Sequence, residues 1–154
     1  MTLVELTAWA RAASLAYATL AEPRNPSPHA APSVLIDVMV AETADKEELA
    51  RLIVYAFRES GFSVDPHLAG DCPGLRAGSR ECSAAKGALH FGPWQGADAS
   101  SLAASCHAAL RAMRDAIARC AAWPMALYTS GRCAESFIAA RRESDVARLA
   151  SEGP

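Results

Sequence analysis

The chain has 154 residues, 51% apolar and 21% charged, a globular balance with enough length to bury one sizeable core. A formal net charge of −2 leaves no basic footprint, which argues against nucleic acid as a partner and against a strongly cationic binding face. No Cys-x-x-Cys occurs among the five cysteines and His67, His90 and His107 are scattered, so neither a zinc site nor any other metal or cofactor is expected.

Residues 1–21 read as an N-terminal amphipathic helix with Leu3, Leu6, Ala10, Ala13 and Tyr17 on one face. Glu5 and Arg11 interrupt it and it lacks a basic start, so neither a signal peptide nor a membrane span is expected. Residues 22–33 carry Pro23, Pro26, Pro28 and Pro32 and predict an extended linker or a wrapping loop. The run from Val34 to Val40 is β-branched enough for a strand. A helix is the better reading, because a lone strand has no evident partner there. Asp45 with Glu48 three residues later resembles a capping box and starts the next helix. Leu49, Leu52, Ile53, Ala56 and Phe57 then recur at helical spacing, and Gly61 ends the run.

Glu59 closes that helix. The macrodipole is negative at this end, and Phe57 and Phe62 desolvate the carboxyl, so both effects favour the protonated acid. That state suits a general acid delivering a proton near neutral pH. The plain alternative is a helix-end glutamate that is solvated or paired with Arg58 or Arg51.

Beyond it the chain is loop-like through Pro66, Gly70, Pro73, Gly74 and Gly78, and short strands are expected around residues 83–91. A long helix over residues 99–120 places Leu102, Leu110, Met113 and Ile117 at apolar positions, and two shorter helices cover 124–128 and 134–149. Trp9 and Trp123 are assigned to packing. A Cys72–Cys82 bridge would close a Gly-rich loop. Cys106 and Cys120 lie roughly 21 Å apart on a continuous helix and cannot pair. Cys120 with Cys133 is the better second pair, which leaves Cys106 odd. In a reducing cytoplasm all five would stay thiols. A cysteine nucleophile paired with histidine lacks any supporting local context.

Three segments in order, Glu59-Ser60-Gly61-Phe62, Gly92-Pro93-Trp94-Gln95 and Ala126-Leu127-Tyr128-Thr129-Ser130-Gly131, resemble the signature of the lysozyme-like lytic transglycosylases and phage-encoded muramidases. Pro93-Trp94 replaces that family's usual central pair, Thr129 replaces its Asn, and the likeness covers roughly residues 46–145. It implies a mostly α, α+β lysozyme-like fold: a helical domain with a cleft and at most a small β element. Residues 34–154 would form the catalytic body of what is a single domain.

The resemblance implies cleavage of the β-1,4 bond between N-acetylmuramic acid and N-acetylglucosamine in peptidoglycan glycan strands, with Glu59 as general acid and base. Ser60, Gln95, Trp94 and Tyr128 would form the substrate-binding set, with Ser60 supporting the helix end. A hydrolase needs a second acid, for which Asp71, Glu81 and Asp98 are the candidates; a lytic transglycosylase needs none, and the likeness favours it. No stable membrane insertion is expected. The protein, made in the cytoplasm, would reach the wall or periplasm through a holin pore or in a phage virion. A catalytically inactive lysozyme-like phage or bacterial structural or assembly protein is the alternative.

Overall fold

The computed structural model describes residues 1–64 and 101–152. Among them the regular elements are all helices: α1 (Leu3–Ala21), α2 (Ser33–Glu42), α3 (Lys46–Ser60), α4 (Leu102–Arg119), α5 (Ala126–Ser130) and α6 (Phe137–Glu152). The mostly α class is thus present. The expected strands at 83–91 and the residues Asp71, Cys72, Glu81, Cys82, Trp94, Gln95 and Asp98 lie outside the described residues.

A capping box that the sequence reading overlooked starts α1. The Thr2 hydroxyl accepts from Glu5 N–H at 3.3 Å, and Thr2 N–H donates to the Glu5 carboxylate at 2.7 Å. Leu6, Trp9, Ala10, Ala13 and Tyr17 are buried, but Leu3 is exposed beside Met1 and Val4, because the first turn runs past the core. The proline-rich segment is a wrapping loop tied back onto this helix. Ser14 Oγ accepts from Ala31 N–H at 2.9 Å, and Ala31 itself is buried.

The Val34–Val40 run is helical, as α2. Leu35, Ile36, Met39 and Val40 are its buried side chains, a spacing that only a helix can turn to one side. Helix α3 is the hub and touches α1, α2, α4 and α6. Leu49, Ala50, Leu52, Ile53, Val54, Tyr55 and Ala56 are fully buried within it, each large aliphatic one stabilising the fold by about 1.5–3 kcal/mol. Asp45 caps it by accepting from the N–H groups of Glu47 (2.8 Å) and Glu48 (3.0 Å). The box stays half-made. Glu48 turns instead to Thr43 Oγ1 (2.6 Å) and the Arg114 guanidinium of α4 (2.7 Å), a charged partner that outcompetes a backbone N–H.

In α4, Ser101 is the N-cap, so the helix starts later than the expected residue 99. Helix α5 sits inside a loop closed by the Cys120–Cys133 disulfide, the pairing expected from spacing. Cys106 is free and buried. Helix α6 starts at Phe137, three residues later than expected, because the Ser136 hydroxyl accepts from Ala139 N–H at 3.2 Å. Trp123 departs from its packing assignment: at 39% exposure it lies at the surface, in the turn between Cys120 and α5.

Candidate functional site

Arg51, Tyr55 and Glu59 are spaced four residues apart and therefore form one stripe along α3. Helix α6 answers this stripe with Arg142 and Glu143. Arg51 Nε and Nη2 donate to Glu143 at 2.8–3.2 Å, and Nη2 also donates to Glu47 at 2.7 Å. Two turns on, Arg142 Nη1 donates to Glu59 Oε1 at 2.6 Å. Between the pairs lies the Tyr55 ring, with the Arg142 guanidinium 5.0 Å from its centroid. Burial pushes the Tyr55 phenol well above its ordinary range, and the Glu143 charge acts in the same direction.

The backbone beyond Glu59 turns sharply. Gly61 (φ 62°) and Phe62 (φ 65°) are both left-handed, and for a bulky residue such as Phe62 this costs on the order of 1–3 kcal/mol. Packing offsets that strain: the buried Phe62 ring meets Phe57 edge-on at 5.1 Å, and Phe57 meets Tyr17 at 5.6 Å. Ser60 Oγ donates to Ala56 O at 3.0 Å and accepts from Ser63 N–H at 3.1 Å. Those bonds tie Ser60 to the helix end and to the turn beyond it.

Tyr128 on α5 meets the Tyr55 ring at 5.5 Å, nearly perpendicular. Burial raises its phenol far above the ordinary range, and the negative charge of Glu59 is the next influence in the same direction. The ring contact sets α5, which carries the third motif, against α3 one turn before Glu59. The middle motif, with Trp94 and Gln95, and the three second-acid candidates lie outside the described residues.

Glu59 is paired, but not with either arginine considered from sequence. Arg51 is taken by Glu47 and Glu143. Arg58 donates through Nε to the Tyr17 hydroxyl at 2.8 Å and faces Asp145 at 3.5 Å. Arg142 went unnoticed because its approach depends on how α6 crosses α3. The guanidinium favours the ionised carboxylate, opposing the desolvation expected from Phe57 and Phe62. With Glu59 25% and Arg142 17% exposed, a docking group can still reach the pair.

Cys106 is a poor nucleophile: burial pushes its thiol up to about 12. Neighbouring His107 is engaged by Glu42 at 2.8 Å. Among the described residues no three His, Cys, Asp or Glu side chains are grouped to hold a metal, and no helix is long and apolar enough to cross a membrane. The arrangement offers one carboxylate, held by a guanidinium and flanked by buried phenols, where the core reaches the surface. No protein-family model, curated protein or solved structure matches the chain.

Proposed function

We propose that this protein is a peptidoglycan-cleaving glycosidase, acting as a lytic transglycosylase with Glu59 as its general acid and base. The observation that carries the reading is the contact of the Tyr128 ring, from α5, with the Tyr55 ring at 5.5 Å, one helical turn before Glu59 on α3. The helix carrying the third motif thus packs against the helix that carries the proposed acid, which supports the reading.

In the proposed cycle a docking strand draws Arg142 away and Glu59 takes up a proton. Glu59 passes that proton to the bridging oxygen as the bond from it to the anomeric carbon of the muramic acid breaks. The 6-hydroxyl oxygen of the same sugar bonds to that carbon, and its proton returns to Glu59. The products are a 1,6-anhydro end and a free 4-hydroxyl, with no water consumed. Action at the wall would follow release through a holin pore or carriage in a virion.

The Glu59–Arg142 ion pair favours a second reading, an inactive lysozyme-like structural or assembly protein, because a neutralised carboxylate can simply hold α3 to α6. Incubation of wild type and Glu59→Gln with peptidoglycan, followed by mass analysis of released muropeptides, separates the two. The enzyme releases anhydro-muropeptides at a rate that Glu59→Gln lowers by about 10²–10⁴-fold. Hydrated ends would mean a hydrolase with a second acid. No release by wild type between about pH 4 and 8, a span covering the ordinary carboxyl and imidazole ranges, would leave the structural reading.

A further inference from the structure

Beside Glu59, between α3 and α6, a recess of about 200 Å³ is lined by Arg58, Phe137, Ile138, Arg141, Arg142 and Asp145. Its charges do not balance locally. Asp145 is already served by the Tyr17 hydroxyl (3.0 Å), Arg58 (3.5 Å) and Arg148 (3.6 Å), and Glu59 by Arg142. Arg141 is exposed and, among the described residues, makes no ion pair. Three guanidiniums, Arg58, Arg141 and Arg142, thus line the recess with one carboxylate, Asp145, in a chain whose net charge is −2. Arg142 spends one N–H on Glu59 and keeps others for a second acceptor. At the mouth, Phe137 (79% exposed) and Ile138 (60%) add apolar surface.

A planar guanidinium pair beside an apolar lip suits a carboxylate on a short, partly apolar chain better than a neutral sugar. We propose that the recess binds a carboxylate of the acidic peptide stem that peptidoglycan carries on its muramic acid, with Arg141 and Arg142 as its direct partners. As the stem docks, Arg142 turns from Glu59 to the incoming carboxylate. That exchange removes one cation from beside Glu59, the group that takes up and delivers the proton. The inference rests on the glycosidase reading, and it makes the peptide stem the trigger that arms the acid.

The test uses the full chain and two probes: N-acetylmuramoyl-L-alanyl-D-glutamate, and the same compound with both glutamyl carboxylates amidated. Binding is followed by calorimetry and by the arginine Nε–Hε signals in nitrogen-15 spectra. The acidic probe should bind and move the Arg141 and Arg142 signals, the amidated probe should bind about tenfold more weakly, and Arg141→Gln should erase most of that difference. Equal binding of the two probes, no binding of either, or an Arg141→Gln protein that still discriminates would overturn the proposal. Muropeptide release separates it from the reading on which it rests. Binding without release by wild type keeps the site and removes the glycosidase; release whose KM ignores both stem amidation and Arg141→Gln keeps the glycosidase and removes the site.

Discussion

Among the described residues three ion pairs join α3 to α6, Arg58–Asp145 being one, and the two on the Arg51–Glu59 stripe run in opposite directions. At the first, the guanidinium belongs to α3 and the carboxylate to α6; at the second, two turns on, the carboxylate is Glu59 of α3 and the guanidinium is Arg142 of α6. Arg51 is only 6% exposed, and three hydrogen bonds to Glu143 and one to Glu47 consume its fork. The Glu59 pair rests on one hydrogen bond from Arg142 and is partly open. A buried charge must be well engaged to be tolerated, whereas a pair made by one hydrogen bond nearer the surface costs less to open. The difference separates the buried end of the stripe from the more accessible end that holds the candidate acid.

Breaking the closed pair should have the largest effect. Arg51→Met leaves Glu143 without its main partner and should lower stability by about 3–5 kcal/mol, read from urea unfolding midpoints. A loss below about 1 kcal/mol would place Arg51 among ordinary surface charges and dissolve the contrast. Next in size comes the staple on α5. Replacing Cys120 and Cys133 together by serine should cost about 3 kcal/mol for a loop of this length, and should loosen Tyr128 from Tyr55. Near-ultraviolet circular dichroism unchanged by that double replacement would mean that α5 holds its place without the bridge.

Opening the second pair should matter less to the fold. For Arg142→Met a loss of about 1 kcal/mol is expected, with thermal unfolding as the measurement. A loss as large as that of Arg51→Met would make the two pairs equivalent. The smallest effect belongs to Glu48, whose carboxyl the Arg114 hydrogen bonds hold below its ordinary value of 4.5. Its stabilisation is therefore fully present above that pH and is lost as pH falls through the lower folded value. Glu48→Gln should flatten the stability curve in that acid range and leave it unshifted in shape near pH 7.

Helix α3 was legible almost residue for residue, because apolar spacing, Asp45 at its start and Gly61 at its end are local signals. Helix α2 was harder, since a β-branched run suits a strand as well, and only the buried pattern of Leu35, Ile36, Met39 and Val40 decides it. The start of α6 was misplaced because Ser136 looks like any loop serine until its hydroxyl is seen against Ala139 N–H. At the candidate site, Glu59, Ser60 and Tyr128 could be named from motif order. Their partners could not. Arg51, Arg58 and Arg142 are equally plausible neighbours of Glu59 on paper, and the choice is made by a helix crossing between residues separated by 83 positions. The exposed side of that crossing left an even fainter trace, because Arg141 differs from Arg142 only in the direction it faces.

The stripe on α3 also sets an order of events during synthesis. Both of its counter-charges, Glu143 and Arg142, come from α6, which is made long after α3. Until those residues emerge, Arg51 has Glu47 without Glu143 and Glu59 is without Arg142, so a nascent chain ending at α5 has a hub helix whose α6-facing side is still open. Such long-range pairing settles late. The arrival of the final helix brings Glu143 to Arg51 and Arg142 to Glu59 in the same step, so the buried charge and the candidate acid are engaged together.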